Sequence, residues 1–318
     1  MKISVIGCGR WGSFICWYLD RIGHQLMLYG RETSQHFDTF RKSRTNGMVT
    51  FSEKVYLTTS LEETVTSEVI IISVNSQGLR ALMQELAVYD LSGKIIVLCM
   101  KGIEIDTGAR LSEIVAEYTN EQVKCAVWLG PGHVEEFCAG IPNCMVIDSA
   151  DNETKHILVD SFSGDLIRFY YGTDLIGNEV GAAAKNVIGI AAGMLDGLKL
   201  SSLKGALMSR ATREVARLIC AMGGSEFSAY GLCHLGDYEA TVFSKYSHNR
   251  RFGEGIIIGE RYNELAEGYY TAKAIMALAD RYRVELPICS AVYRVLYENA
   301  VPAQALDELF ARSLKNEF

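Results

Sequence analysis

The strongest constraint on the fold is a glycine-rich turn close to the start of the chain. Gly7, Gly9 and Gly12 have the spacing GxGxxG, after an apolar strand pattern at residues 3–6 and before a helical pattern at residues 10–22. In such a turn the first glycine permits a tight bend, the second lets the backbone approach a pyrophosphate, and the third lets the helix pack on the strand. We predict that a dinucleotide binds at the positive end of this helix; the alternative is a glycine-rich turn without a ligand.

The first half of the chain alternates between strand and helix patterns. Helical stretches such as residues 76–89 and 107–119 separate short apolar strands at residues 3–6, 25–29, 69–74, 94–100, 124–128, 144–148 and 166–170. Strands that are apolar on both faces are typical of a parallel sheet with helices on both sides.

After about residue 177 the alternation stops. Helical patterns follow at residues 178–195, 201–222, 261–282, 287–299 and 303–315, with a polar, glycine-flanked loop at 231–255. The length of 318 residues suggests two domains. We predict an α/β protein with a Rossmann-type doubly wound sheet at residues 1–177 and an all-α substrate and catalytic domain at residues 178–318, joined near 171–178. A ligand is expected in the cleft between them.

Composition excludes several classes of function. The net charge of −7 argues against a nucleic-acid-binding surface. Nine scattered cysteines without a CxxC or Cys/His cluster indicate reduced thiols, and the six histidines have no metal-ligand spacing, so we expect no protein-bound metal. The most apolar segment, residues 180–195, is too short and too polar for a membrane span. With no signal peptide apparent, we expect a cytoplasmic protein without stable membrane insertion.

The most informative polar residues are Lys185 and Asn186, the only polar side chains in residues 180–195. Small neighbours would let a ligand or another backbone approach. Partial desolvation would lower the pKa of the lysine toward neutrality and suit it to general-base catalysis, while the asparagine could hydrogen-bond a substrate oxygen. The alternative is a lysine that extends to the surface beside a capping asparagine.

Two further segments follow strands and should face the ligand crevice of an open α/β sheet. Lys101 comes directly after the strand at 94–100, although a surface lysine is the alternative. Gly130 and Gly132 flank a proline after the strand at 124–128, where backbone N–H groups could bind an anion. Val134, in the helix that this turn opens, is a candidate cofactor contact.

The end of the second strand bears on the choice of cofactor. An acid at this point would bind the adenosine ribose and favour NAD, but the chain has Arg31, with Glu32 one residue later. Arg31 could hold a 2′-phosphate, so we favour NADP over NAD. In the alternative Arg31 is a solvated surface residue and Glu32 binds the ribose.

The polar loop offers hydroxyls, an amide and cations that together suit a phosphorylated polyol. A solvated charged loop is the alternative. The candidates are Asp237, Thr241, Ser247, His248, Asn249, Arg250 and Arg251.

Taken in order, these motifs resemble the bacterial NAD(P)-dependent glycerol-3-phosphate dehydrogenases nearly from end to end. The matching segments are GxGxxG, "KGIE", the GP turn, "AAAKNVIGIAAGMLDGL", "LGD", "SHNRRFG", "AEGYYTAKA" and "LPICSAVYRVLYE". The resemblance implies a helical domain of the 6-phosphogluconate-dehydrogenase type and a homodimer. It also implies reversible hydride transfer between glycerone phosphate and sn-glycerol 3-phosphate, for phospholipid precursor synthesis.

The resemblance also implies roles for single residues. Lys185 would be the proton acceptor, and Lys101 would contact both substrate and cofactor. The substrate pocket would be lined by Gly130, Asp237, Ser247 and Asn249. The cofactor would be contacted by Arg10, Trp11, Arg31 and Glu267, and we add His248 to both groups.

Three positions depart from the family pattern. His248 stands where the family usually has an arginine that meets phosphate groups, Gly132 replaces a serine or threonine, and Arg10 replaces a serine or alanine. They leave room for another small phosphate or hydroxy-acid substrate, as in a ketopantoate-reductase-like enzyme. A non-catalytic NADP-binding sensor is a further alternative, although it would have no need for a buried base.

Overall fold

The computed structural model describes residues 1–313 and residue 316, and it forms two compact units. The first unit contains Met1–Lys101 and Ala109–Glu179, and the second contains Gly102–Gly108 and Val180–Phe318. The first is an α/β unit and the second is helical, as the sequence predicts.

One eight-stranded sheet forms the centre of the first unit. Its strands are β1 Lys2–Ile6, β2 Gln25–Tyr29, β3 Tyr56–Thr58, β4 Val69–Ile72, β5 Ile95–Leu98, β6 Lys124–Leu129, β7 Asn143–Ser149 and β8 Ile167–Tyr171. They lie in the order β3-β2-β1-β4-β5-β6-β7-β8, and only the pair β6 and β7 is antiparallel. The strand order changes direction between β1 and β4, which is where ligands bind in doubly wound sheets.

The central strands are apolar because helices cover both of their faces. Every residue of β4 is fully buried, and β4 pairs in parallel with β1, with Ile3 opposite Val69 and Ile6 opposite Ile72. Such strands show a continuous apolar run instead of alternation, which is why the sequence predicts them well.

Two features of the sheet were not predicted from the sequence. Strand β3 has only three residues and lies at the sheet edge, where Tyr56 is 53% exposed, so its apolar signal is weak. The antiparallel direction of β7 was also not predicted, because an apolar run is the same for either strand direction.

Helices connect the strands of the first unit. They are α1 Arg10–Arg21, α2 Gln35–Ser43, α3 Leu61–Thr64, α4 Leu79–Leu86, α5 Leu111–Tyr118, α6 Val134–Cys138 and α7 Asn152–Phe162. The side chains of Ser34, Ser60 and Asp151 accept backbone N–H groups at the starts of α2, α3 and α7, as N-cap residues do.

The second unit is formed by helices. They are α8 Leu175–Gly197, whose residues up to Glu179 belong to the first unit, then α9 Lys204–Ala221, α10 His248–Ile258, α11 Glu267–Tyr282, α12 Pro287–Tyr297 and α13 Pro302–Phe310. The predicted extension of the last helix to Lys315 lies outside the described residues.

The prediction of a loop throughout residues 231–255 is wrong, because α10 begins at His248. The Ser247 side chain accepts the backbone N–H of Arg250 and caps this helix. Gly253 permits close packing, since a Cβ there would lie 2.1 Å from the carbonyl oxygen of Ile190 on α8. Gly253, one of the glycines that suggested a loop, is therefore a packing contact between two helices.

The cysteines, the metal-binding side chains and the apolar helices bear on the expectations drawn from composition. The nine cysteines are free, and Cys8, Cys16, Cys99, Cys233 and Cys289 are buried. Within residues 1–313 and 316, no three His, Cys, Asp or Glu side chains form a group that could hold a metal ion. None of the helices described for these residues is long and apolar enough to cross a membrane.

Candidate active site

The glycine-rich turn has the geometry that a dinucleotide requires. Gly7 has a φ of 117°, and a Cβ there would lie 2.1 Å from the carbonyl oxygen of Ser73. A Cβ on Gly12 would lie 2.1 Å from the carbonyl oxygen of Gly7. A Cβ on Gly9, by contrast, would meet no atom within 4 Å, so the backbone there is open to an approaching group.

The first turn of α1 also fits an anion. Gly9 is the N-cap, no side chain caps the helix, and its first turn contains no acidic residue. The N–H groups at the positive end of a twelve-residue helix are therefore suited to a pyrophosphate. These residues fit the phosphates of NAD or NADP.

Arg10 and Trp11 both contact side chains of the same unit. The Arg10 guanidinium forms an ion pair with Glu135, and both side chains are about one-third exposed. The Trp11 ring packs against Phe14 and Phe137, with centroid distances of 5.2 and 6.2 Å. Arg10 is therefore engaged by a carboxylate at the helix end where the cofactor phosphates are expected.

Arg31 and Glu32 are both exposed just beyond β2. The Gly7 N–H donates to the carbonyl oxygen of Tyr29 at 3.1 Å, which places the end of β2 beside the glycine-rich turn. This is where the adenosine ribose lies in the Rossmann arrangement. The position suits either the predicted 2′-phosphate contact of Arg31 or a ribose contact of Glu32.

Lys101 and the GP turn lie together in the first unit. The Lys101 ammonium donates to the carbonyl oxygen of Gly130 at 2.7 Å. Gly132 has a φ of 147°, and a Cβ there would lie 2.3 Å from the Phe137 ring. The glycine at position 132, where the family usually has serine or threonine, therefore fits the local packing, because either of those side chains would displace the Phe137 ring. The Val134 side chain is buried in the core, so a cofactor contact at this residue would use its backbone.

The second unit brings together three predicted site residues. The Lys185 side chain is only 9% exposed, and its Nζ lies 3.0 Å from Oδ2 of Asp237. The same ammonium donates to the Thr241 hydroxyl at 2.7 Å, and this hydroxyl donates to the backbone carbonyl of Asp237 at 2.8 Å. The alternative in which Lys185 extends to the surface is wrong. The sequence predicted a lysine desolvated among small residues, and the structure in addition places a carboxylate beside it.

Asn186 is positioned by a second chain of hydrogen bonds. Its Oδ1 accepts from Nδ2 of Asn249 at 3.0 Å, and Oδ1 of Asn249 accepts from the backbone N–H of Gly268 at 2.9 Å. Both asparagines are buried. The network joins helices α8, α10 and α11 beside Lys185.

Small residues on α8 allow this close packing. A Cβ on Gly189 would lie 2.7 Å from Cγ2 of Thr241, and a Cβ on Gly193 would lie 1.9 Å from the carbonyl oxygen of Arg250. The expectation from the sequence concerned residues 181–184, and it holds at Gly181, where a Cβ would lie 3.0 Å from the Cβ of His234.

The cations at the start of α10 differ in their contacts. Nδ1 of His248 lies 2.5 Å from the Tyr262 hydroxyl and 3.1 Å from Oε2 of Glu264. Arg250 is held by Asp196 at 2.7 Å and by Glu254 at 3.0 Å. The exposed Arg251 lies over the Tyr262 ring at 5.4 Å. Arg250 is thus engaged in a structural ion-pair network, while His248 and Arg251 both contact Tyr262.

Two further predicted residues, Ser247 and Glu267, lie at the starts of helices. Ser247 caps α10, and Glu267 is the first residue of α11, where its carbonyl accepts the Thr271 hydroxyl at 2.9 Å. Sequence reasoning missed Glu135, the partner of Arg10, and the buried His234. His234 stands next to the "LGD" motif, and this proximity was the only signal for it.

The comparisons with known proteins agree over the full length. Family models for the N-terminus and the C-terminus of NAD-dependent glycerol-3-phosphate dehydrogenase match residues 2–155 and 174–307. A glycerol-3-phosphate dehydrogenase (NAD(P)+) from Thermoanaerobacter sp. is 35% identical, over 100% of this chain and 99% of that protein. Its counterpart from Thermotoga sp. is 36% identical, with the same coverage.

A solved structure gives the same result. The crystal structure of glycerol-3-phosphate dehydrogenase from Coxiella burnetii is 30% identical, with a TM-score of 0.92 over 98% of this chain and 99% of that one. The Rossmann-type sheet, the helical unit and the ordered motifs are those of this group. The chain belongs to the NAD-dependent glycerol-3-phosphate dehydrogenase family.

Proposed function

We propose that this protein reversibly reduces glycerone phosphate to sn-glycerol 3-phosphate with NADH or NADPH, supplying a phospholipid precursor. The observation that carries the proposal is the buried Lys185, held between Asp237 and Thr241 at 3.0 and 2.7 Å. A buried ammonium with a fixed carboxylate partner suits proton transfer in a dehydrogenase. A sensor that only binds a dinucleotide would have no use for it.

Proton transfer is assigned to Lys185. In the reductive direction its ammonium donates a proton to the C2 oxygen of the substrate as that carbon gains hydride. In the oxidative direction the neutral amine accepts the C2 hydroxyl proton as hydride leaves. Asp237 stabilises the ammonium in both directions, and Asn186 orients the substrate oxygen by a hydrogen bond.

The nicotinamide cofactor, when bound, supplies or accepts the hydride. Residues 1–177 would hold it through the Gly7, Gly9 and Gly12 turn, and Arg31 would favour NADP by meeting its 2′-phosphate. Residues 178–318 would hold the substrate. His248 and Arg251 are the proposed contacts for its phosphate group, because Arg250 is engaged with Asp196.

We also propose the compartment and the oligomeric state of the enzyme. Nine free cysteines, five of them buried, support a reducing compartment, which we take to be the cytoplasm. We further propose a homodimer, which size-exclusion chromatography with light scattering would test.

The reaction is tested by following NADH and NADPH oxidation at 340 nm with glycerone phosphate and the purified protein. A matched panel contains ketopantoate, other 2-oxo acids and unphosphorylated dihydroxyacetone. We expect turnover with glycerone phosphate and a kcat/KM at least about 100-fold lower with the unphosphorylated compound, because charged contacts to phosphate are lost. Turnover of a 2-oxo acid in preference to glycerone phosphate would replace this substrate assignment.

A further inference from the structure

His234 immediately precedes the turn that carries Asp237, and the proposed chemistry gives it no task. Its side chain is fully buried. Nδ1 of the imidazole lies 2.8 Å from the carbonyl oxygen of Gly181, and Nε2 lies 2.8 Å from the hydroxyl oxygen of Tyr238. Both ring nitrogens therefore have hydrogen-bond partners.

The chemistry of these partners determines the tautomer of the ring. A carbonyl oxygen can only accept, so Nδ1 of His234 donates to Gly181 and Nε2 accepts the Tyr238 hydroxyl hydrogen. Burial lowers the pKa of His234 to about 4 and raises the pKa of Tyr238. The imidazole is therefore neutral and the phenol protonated near pH 7, and the ring forms an oriented, uncharged link between two chain segments.

These segments carry the two members of the ion pair. Gly181 lies one helical turn before Lys185 on α8, so its carbonyl also accepts the backbone N–H of Lys185 in α-helical geometry. On the other side, the Asp237 N–H donates to the carbonyl oxygen of His234 at 3.0 Å, within the 3₁₀ turn Leu235–Asp237 that His234 begins. A Cβ on Gly181 would lie 3.0 Å from the Cβ of His234, so the helix and the turn are in close contact.

We propose that His234 is a positioning residue that fastens the turn bearing Asp237 to helix α8 and so holds this carboxylate against the Lys185 ammonium. Its effect on turnover rests on the proposed function, since Lys185 transfers the proton there. Misplacing a reacting group by about 1 Å can lower a rate about 100-fold. The hydrogen bond to Gly181 is the decisive contact, because that carbonyl lies on the helix of Lys185.

Two substitutions distinguish the effect of this hydrogen bond from the effect of a side chain that only fills the space at position 234. His234→Leu is apolar and donates nothing, whereas His234→Asn places an amide nitrogen close to the position of Nδ1 and can still donate to Gly181. We expect His234→Leu to lower kcat about 10- to 100-fold, with KM for glycerone phosphate and Kd for NADH changed less than about threefold. His234→Asn should restore kcat to within about threefold of wild type.

A matched control accounts for loss of stability. Val292→Ala removes buried apolar volume from α12, a helix of the same unit that carries neither member of the ion pair, and should lower Tm without lowering kcat. Wild-type kcat in His234→Leu would overturn the proposal. So would a folded His234→Asn variant as slow as His234→Leu.

A second measurement needs neither substrate nor cofactor. Acylation of Lys185 by an N-hydroxysuccinimide ester, followed by peptide mass spectrometry, reports how tightly Asp237 holds the ammonium. His234→Leu should raise the labelling rate at least threefold, and His234→Asn should not. Gly181→Ala retains the histidine, but the added methyl group presses on the Cβ of His234, so this variant should also raise the labelling rate. It provides the test if His234→Leu does not fold.

The two assays distinguish two kinds of failure. If the wild-type protein does not turn over glycerone phosphate, the proposed reaction fails, while the labelling still tests the positioning role. If His234→Leu and Gly181→Ala both leave Lys185 labelling unchanged, the positioning role is wrong whatever the substrate.

Discussion

Lys185 and Asp237 form a buried ion pair, with Nζ 3.0 Å from Oδ2 and the two side chains 9% and 1% exposed. The Lys185 ammonium also donates a hydrogen bond to the Thr241 hydroxyl at 2.7 Å. Removing one member of such a pair leaves a buried charge that is expensive in a low-dielectric interior. Activity and stability should therefore respond differently to single and double substitutions.

Lys185→Met should lower kcat at least about 100-fold, as expected for loss of a general acid and base, with Kd for NADH nearly unchanged. It should also lower the free energy of unfolding by about 3–5 kcal/mol, because the buried Asp237 carboxylate loses the ammonium that compensates its charge. The double variant Lys185→Met/Asp237→Asn should recover most of this stability and none of the activity. Urea denaturation and steady-state kinetics test both parts. Turnover within a few-fold of wild type in Lys185→Met would remove Lys185 from the mechanism.

Arg31→Ala should weaken NADPH binding about tenfold, because one charge-assisted contact to the 2′-phosphate is lost. NADH binding should change less than about twofold, since NADH lacks that phosphate. Fluorescence titration of both cofactors provides the measurement. Glu32→Ala tests the alternative, because loss of a ribose contact at Glu32 would weaken NADH and NADPH alike. Equal weakening of both cofactors would show that Arg31 does not recognise the 2′-phosphate.

Glu135→Gln should strengthen binding of both NADH and NADPH about three- to tenfold. The substitution releases the Arg10 guanidinium from its ion pair and leaves it available to the cofactor pyrophosphate. The dependence of Kd on salt should become steeper, which titration at several ionic strengths would detect. Glu136→Gln, on the next residue of α6, is the matched control. An unchanged Kd would show that Arg10 serves only to pack α6 against α1.

His248→Arg should lower KM for glycerone phosphate about three- to tenfold at pH 8, where a histidine carries little charge and an arginine is fully charged. The dependence of KM on pH between about 6 and 8 should flatten at the same time. His248→Gln, which adds no charge, should not tighten binding. If His248→Arg changes neither KM nor its pH dependence, His248 serves only to contact Tyr262 and Glu264.

Glu214 should make stability dependent on pH. This buried carboxyl accepts the backbone N–H groups of Ile288 and Cys289 at the start of α12, each at 2.9 Å, and burial raises its pKa to about 7. Because the folded state binds this proton more tightly than the unfolded state, the contribution is fully present below about pH 4.5 and is lost as pH rises through about 7.

The corresponding measurement compares urea denaturation of wild type and Glu214→Gln from pH 5 to pH 8. The wild-type protein should lose about 2 kcal/mol more over this range than the variant, which does not titrate. The comparison uses the slope with pH, since glutamine also loses one of the two acceptor oxygens at every pH. Glu226→Gln, at an exposed site, should leave the slope unchanged. Parallel curves for wild type and Glu214→Gln would show that Glu214 does not titrate in this range.

The sequence by itself determined the class of fold and the family. Strands such as β4 are apolar on both faces because helices cover both sides of the sheet, and that pattern is visible in one dimension. The glycine-rich turn could be recognised because its backbone geometry excludes side chains at Gly7 and Gly12. The isolated polar pair Lys185 and Asn186 was also conspicuous in an apolar helix.

Only the tertiary structure decided which side chains meet. Asp237 could be named as a candidate, but its contact with Lys185 depends on how a 3₁₀ turn packs against α8. The loop prediction failed at residues 248–255 for the same reason, since Gly253 acts there by contacting another helix. Arg10 was predicted to contact the cofactor and Arg250 was a candidate for the substrate phosphate, yet Glu135 and Asp196 engage them. Partners distant in sequence leave no periodic signal. The sequence could therefore name candidate residues, while their ion pairs and hydrogen bonds depended on three-dimensional packing.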